Sequence, residues 1–279
     1  MMNNYKGYIE FKCETDEELA SFYEKHIIPD EILINQYLLL RDKENNIVDK
    51  FKFDGYKLVP IQYQILNSKN FGKLKPKDDI QEIAIDALKS NDLIMLRGHA
   101  GTGKSYLALA YLFEALDKNK ISKIIIFCNT VATAGSAKLG YYPGSREAKL
   151  LDSQIGNFLS SKLGSFTEVE RLIDTEQLIL LPMSDIRGYD TTGLNAGIYI
   201  QEAQNFDIEL MKLALQRIGD DCICIIDGDN TTQVDDNRFA GDRNGMKRLS
   251  EVFRGQDYYA EIELQKIYRS RIAEQAQLM

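Results

Sequence analysis

The chain has 279 residues, 44% of them hydrophobic, and its 42 acidic side chains outnumber its 34 basic ones to give a net charge of −8. That composition excludes a disordered or collagen-like chain, and the length suits one large α/β domain with an appendage, or two small domains, around a sizeable core. The acidic balance argues against an indiscriminate nucleic-acid binder held by a positive field, while leaving room for a local basic groove.

The longest apolar runs, Ile124 to Cys128 and Cys222 to Ile226, fall far short of the ~20 residues that span a bilayer. Met1 to Lys12 alternates polar, charged and aromatic residues and lacks the apolar stretch of a secretory signal. A cytoplasmic protein with no membrane partner is expected. Three of the four cysteines lie in apolar, β-branched runs and read as buried free thiols. Cys222 and Cys224 alone make a poor metal clamp, and with only His26 and His99 a histidine-rich metal site is excluded.

Residues 1–66 read as a small β-rich module. Tyr5 to Phe11 and Leu33 to Leu40 have strand content, Glu14 to His26 a helical pattern, and Ile47 to Pro60 alternates around the hairpin signal Asp54-Gly55. The basic stretch Asn67 to Lys77, with Lys69, Lys73, Lys75 and Lys77, reads as a linker or a loop feeding the next domain, residues 67–279.

From Asp78 onward helices and strands alternate. Helices are expected at Asp79 to Leu88, Lys104 to Leu116, Ala132 to Leu139, Ser145 to Leu163 and Asp207 to Ile218. Strands are expected at Asp92 to Leu96, Lys123 to Cys128, Leu178 to Met183, Ile198 to Ile200 and Cys222 to Asp227. Buried strands separated by helices predict an α/β fold, a mostly parallel sheet covered on both faces.

The segment Gly98-His99-Ala100-Gly101-Thr102-Gly103-Lys104-Ser105 fits G-x-x-x-x-G-K-[ST] and lies between a strand and a helix that begins at Tyr106 or just before it. Its glycines let backbone N–H groups turn inward around phosphate oxygens, Lys104 supplies charge at the β/γ phosphates, and the Ser105 hydroxyl can ligate Mg²⁺. The following helix points its positive end at the anion. ATP and Mg²⁺ are therefore the expected ligands.

Such a loop needs a carboxylate at the end of a nearby strand. Glu202, closing the strand Gly197 to Ile200, is the expected general base for water and a metal neighbour. Asp227, followed by Gly228, Asp229 and Gln233, ends another buried strand. These residues orient water and sense the γ-phosphate, or they form an ordinary turn; the spacing alone does not separate the two. Gln81 stands one helix before the loop, within reach of an adenine edge, although a surface glutamine is the default reading. Arg269 and Arg271 follow the core and either stabilise transferring phosphoryl charge or line a solvated face.

Together these motifs resemble the PhoH family of P-loop ATPases, proteins similar to the first RecA-like domain of superfamily 1 helicases. The matching residues include the glycine loop, Ala132 to Gly144, Ile186-Arg187-Gly188, Glu202-Ala203-Gln204-Asn205, Gly228-Asp229 through Gln233, and Tyr268 to Ala273. Asn35 to Pro60 resembles the connecting module of fusions in which a PIN nuclease domain precedes the PhoH part. Too few residues precede Asn35 for that domain, so nuclease activity is not expected.

The resemblance implies a RecA-like three-layer α/β/α domain that hydrolyses ATP. It further implies a homo-oligomeric ring, a hexamer, with Arg269 or Arg271 acting in cis or across a subunit border. Contact with single-stranded RNA or DNA is implied through Asn129 to Gly140, with Thr130, Thr133 and Lys138 foremost. One departure matters: the family's Asp-Glu pair is Gln201-Glu202 here, and Asp227 is the expected substitute for the missing charge. A nucleotide-binding scaffold or switch that does not turn ATP over is the competing expectation.

Overall fold

The computed structural model describes residues 5–25, 27–128, 154–229, 241–269 and 275. Apolar side chains occupy both faces of β7 (Leu93–Gly98), β8 (Lys123–Cys128), β10 (Ala196–Ile200) and β11 (Ile223–Gly228), so these strands require cover on both sides. They form the centre of a six-stranded sheet in the order β12-β7-β11-β10-β8-β9, parallel throughout, with β9 at Leu178–Pro182 and β12 at Tyr259–Leu264 as edges.

One face buries Ile94, Leu96, Ile126, Tyr199 and Ile225 against α2 (Asp79–Ser90) and α3 (Lys104–Asp117), with α4 (Gln154–Leu163) and α5 (Phe166–Asp174) completing the layer. The other face buries Met95, Phe127, Ile198, Ile200 and Ile226 with Met211 of α6 (Ile208–Leu215) and Met246 and Leu249 of α7 (Gly245–Phe253). This is the three-layer α/β/α arrangement expected from the alternation.

The N-terminal part forms a separate four-stranded sheet, β1 (Tyr8–Lys12), β2 (Tyr37–Arg41), β3 (Ile47–Phe53) and β4 (Leu58–Pro60), in that order, with α1 (Asp16–Lys25). Only β1 and β2 run parallel; the β3–β4 hairpin turns at Asp54-Gly55, as its sequence signal indicates. This sheet rests on α2: the Tyr37 hydroxyl donates to Asp86 at 2.8 Å, and Lys50 pairs with Asp79 and Glu82.

Several expectations need correction. Residues 67–77 are not a plain linker, because β5 (Leu66–Ser68) and β6 (Gly72–Leu74) form a hairpin that buries Leu66, Phe71 and Leu74 beside α3. The strand β5 lies across the 66/67 boundary drawn from the sequence. The helix expected from Asp207 to Ile218 is shorter: Asp207 is its N-cap, accepting from the Leu210 N–H, and the helix ends at Leu215. The helices α5 and α7 and the strand β12 were not expected at all.

Edge strand β12 is covered by the N-terminal segment, where the Glu263 N–H donates to the Lys6 carbonyl at 3.0 Å. Gly7 has φ +81°, and a Cβ there would sit 1.4 Å from the Glu261 carbonyl oxygen, so only glycine permits this approach. All four cysteines are buried free thiols, including Cys13 outside the apolar runs. No helix among the described residues is long and apolar enough to cross a membrane.

Candidate functional site

Strand β7 delivers the chain into the loop 98–103, and α3 begins at Lys104. Gly98, Gly101 and Gly103 all have positive φ, at +135°, +88° and +99°. A Cβ on Gly98 would lie 2.1 Å from the Leu264 carbonyl oxygen, so the end of β7, where the loop begins, presses against the end of β12. Thr102 is fully buried and ties the turn together, its hydroxyl donating to the His99 carbonyl at 2.9 Å.

The first turn of α3 contains no acidic residue, and its N-cap, Gly103, provides no side-chain acceptor. Its N–H groups and the positive end of the helix are thus offered to an anion. The Lys104 ammonium donates to the carbonyls of Gly98 and His99 at 2.5 and 3.0 Å.

Ser105 Oγ donates to Asp227 Oδ2 at 2.6 Å, and Asp227, at the end of β11, is 1% exposed. The same Oδ2 accepts from the Tyr199 hydroxyl at 2.6 Å, while Oδ1 accepts from the Glu202 N–H at 3.0 Å. Burial and the facing Asp227 carboxylate push the Tyr199 hydroxyl well above its ordinary range, which keeps it a donor.

Glu202 leaves β10 in a left-handed conformation, φ +52°, which turns its side chain out of the strand's alternation. Its Oε2 accepts from Gln204 Nε2 at 2.5 Å. Gln204 Oε1 accepts from the Asp229 N–H at 3.1 Å, and Asp229 Oδ2 faces His99 Nδ1 at 3.3 Å. The glycine loop is therefore tied to the ends of both β10 and β11.

Among the other expected site residues, Gln81 lies directly beside the loop. Gln81 is 5% exposed, its amide accepting from the Lys77 N–H at 3.0 Å and donating to the Thr102 carbonyl at 3.1 Å. It braces the loop through the Thr102 carbonyl. Ala100 lies in the loop as expected. Tyr106 packs on Phe71, with the Lys162 ammonium 4.7 Å from its ring centre.

Arg269 lies against the loop: a Cβ on Gly101 would be 2.9 Å from its Cβ. Gln233 and Arg271 lie outside the described residues, as do Asn129, Thr130, Thr133 and Lys138.

Two residues to which the sequence assigns no role of their own belong to the site. Tyr199 carries the one hydroxyl in an otherwise aliphatic strand, and a buried phenol needs a partner, which was a usable signal. Tyr268 donates its backbone N–H to the Gly101 carbonyl at 2.9 Å and its hydroxyl to Asp78, and its ring faces both Lys77 and Lys266.

No group of three His, Cys, Asp or Glu side chains poised for a metal occurs among the described residues. Mg²⁺ does not need one: it is held by one or two carboxylates together with waters and substrate phosphates. The hard oxygens of Ser105 and Asp227, side by side at the mouth of the loop, fit that requirement.

A parallel α/β sheet with a glycine-rich loop, its lysine, and a serine meeting a strand-end carboxylate defines a P-loop nucleotide-binding protein. The family model described as PhoH-like protein matches residues 73–279. The chain belongs to the PhoH-like family.

Relatives include a protein PhoH2 from Thermobispora bispora, 31% identical over 72% of this chain and 46% of its own length. A PhoH-like protein from Bacillus subtilis is 33% identical over 64% of this chain and 54% of its own. Protein PhoH2 of the same organism is 26% identical and spans 98% of this chain and 63% of its own. The chain thus spans about half to two thirds of the length of these relatives. Among solved structures, the Pif1 helicase of Candida albicans is similar at a TM-score of 0.35 and 18% identity, covering 71% of this chain and 42% of the helicase. That likeness is too low to carry an argument.

Proposed function

We propose that the chain binds ATP with Mg²⁺ at the loop 98–105 and hydrolyses it to ADP and phosphate. The observation that carries this reading is the Ser105–Asp227 contact at the mouth of the glycine loop. The backbone N–H groups of the loop and the start of α3 hold the phosphates, and Lys104 exchanges the Gly98 and His99 carbonyls for phosphate oxygens. When bound, Mg²⁺ neutralises charge on the β- and γ-phosphates. Ser105 and Asp227 are the residues that would hold it and its waters.

Glu202 takes the proton of a water as that water's oxygen bonds to the γ-phosphorus and the bond to the β–γ bridging oxygen breaks. Gln204 orients the Glu202 carboxylate through its amide. Arg269, beside Gly101, stabilises the charge that develops on the phosphoryl group, with Gln233 and Arg271 in supporting roles.

Coupling to single-stranded RNA or DNA and a homo-oligomeric ring belong to the same proposal and rest on the family resemblance; a cytoplasmic location belongs to it too and rests on the N-terminal sequence and the short apolar runs. The division into an N-terminal module and a nucleotide-binding domain is likewise part of it, supported by the two separate sheets.

Phosphate release from ATP by wild type, Lys104→Ala and Glu202→Gln, each with and without single-stranded RNA, tests this reading. Turnover lost in both variants supports hydrolysis, and stimulation by RNA at low salt supports the coupling. A second reading is favoured by Gln201, whose Oε1 is buried with no hydrogen-bond partner where the family has a carboxylate. In that reading the protein is a nucleotide-binding switch, and phosphate release stays at background whether or not Glu202 is replaced.

A further inference from the structure

We infer that Tyr199 is a positioning residue: through its hydrogen bond it fixes the Asp227 carboxylate as the single anchoring charge for a divalent cation. The inference rests on the nucleotide-binding reading above and extends it to a residue outside the glycine loop.

Tyr199 lies on β10 directly opposite Ile225 of β11, so Asp227 is its diagonal neighbour two residues further along, within reach of an aromatic side chain. The ring is fully buried on the α3 side of the sheet and cannot swing away. Its hydroxyl reaches Oδ2 at 2.6 Å, the oxygen that also accepts from Ser105. Asp227 therefore receives three donors, and of these only the Tyr199 hydroxyl belongs neither to the glycine loop nor to the backbone beside the proposed base.

A carboxylate of this kind has one free rotation about its terminal bond, and a donor on a rigid ring fixes that rotation. With Gln201 neutral, the charge at the strand ends nearest Ser105 depends on how Asp227 is aimed. A partner that orients a metal-holding group changes metal affinity by about 10 to 100-fold in general.

The test uses Tyr199→Phe, Asp227→Asn and the double variant, with Mn²⁺ as the probe cation. Electron paramagnetic resonance measures Mn²⁺ affinity in the presence of ADP, fluorescence measures ADP affinity in EDTA, and thermal melting checks the fold. Tyr199→Phe is expected to weaken Mn²⁺ binding about 10-fold or more, to leave ADP affinity in EDTA unchanged, and to add nothing in the Asp227→Asn background.

Wild-type Mn²⁺ affinity in Tyr199→Phe overturns the inference, as does an equal loss with and without Asp227, which would mark a packing effect. A Tyr199→Phe protein too unstable to assay, while Asp227→Asn folds, also overturns it, since the tyrosine would then serve the core. Failure of the wild-type protein to bind Mn²⁺ with ADP overturns the nucleotide reading itself, and the inference with it.

Discussion

Ser105, at the start of α3, donates its hydroxyl to Asp227, at the end of β11, across 2.6 Å. The two are 122 residues apart in sequence, and the contact exists because β11 pairs directly with β7, the strand that leads into the glycine loop. Asp227 stands one strand closer to the loop than Glu202 does. Under the proposed function, Asp227 supplies from the neighbouring strand the charge absent at Gln201.

Replacing Asp227 by Asn removes that charge while keeping the shape. ATP turnover is expected to fall about 10 to 100-fold, with a raised Mg²⁺ requirement. Phosphate release measured across a Mg²⁺ titration checks this. Unchanged turnover and unchanged Mg²⁺ dependence would end the idea of a relocated carboxylate.

Glu202→Gln separates chemistry from binding. Loss of a positioned base is expected to lower turnover about 10² to 10⁴-fold while ATP is still retained. Single-turnover phosphate release beside equilibrium nucleotide binding reads the two effects apart.

Gln81 reaches the loop from below, and Gln81→Ala leaves the buried Thr102 carbonyl without its donor. An unmet buried polar group costs about 1 to 3 kcal/mol. A lower melting temperature is expected, with ATP affinity reduced through a loosened loop. Wild-type stability in this variant would contradict the bracing role.

Behind the loop, Arg97 of β7 stands 2.8 Å from Glu261 and 3.0 Å from Glu263 of β12. The contact with Glu261 is ionic and not a well-aimed hydrogen bond, since Arg97 Nε and Glu261 Oε1 have no hydrogen-bond partner. Removing Arg97 strands a buried carboxylate, so Arg97→Ala is expected to cost about 3 to 5 kcal/mol, read by denaturant unfolding.

Desolvation raises the Glu261 carboxyl above its usual range, with Arg97 opposing. A carboxyl raised in the folded state binds its proton more tightly there than in the unfolded chain. Its contribution is present in full at acid pH, below the unfolded value, and is lost as pH rises through the folded one. Melting curves of wild type and Glu261→Gln are therefore expected to differ least in acid and to diverge, with the variant relatively more stable, as pH increases. A difference that shrinks as pH rises would contradict this.

Much of the site is legible in the sequence because it is local. The glycines, Lys104 and Ser105 lie in one stretch between a strand and a helix, and each expected element is present there. Asp227 could be named from its place at a strand end, but its contact with Ser105 depends on strand order, which periodicity does not carry. Strand β12 is hard to see in the sequence because Glu261 and Glu263 interrupt its apolar residues, and the Arg97 that faces them lies on the neighbouring strand. The β5–β6 hairpin was masked in the same way by its lysines, since its three buried apolar side chains are scattered among charges. Gln81 is legible as a neighbour of the loop, while its bonds to the Lys77 N–H and the Thr102 carbonyl are not, because backbone groups compete for an amide on equal terms with a base.

The central claim is that the glycine loop and Lys104 together capture a nucleoside triphosphate. Equilibrium dialysis of labelled ATP with Mg²⁺, on wild type and Lys104→Ala, tests it most directly. The account predicts saturable binding at one site per chain, lost or strongly weakened in the variant; a wild-type protein that retains no ATP, or a variant that binds as well as wild type, would contradict it.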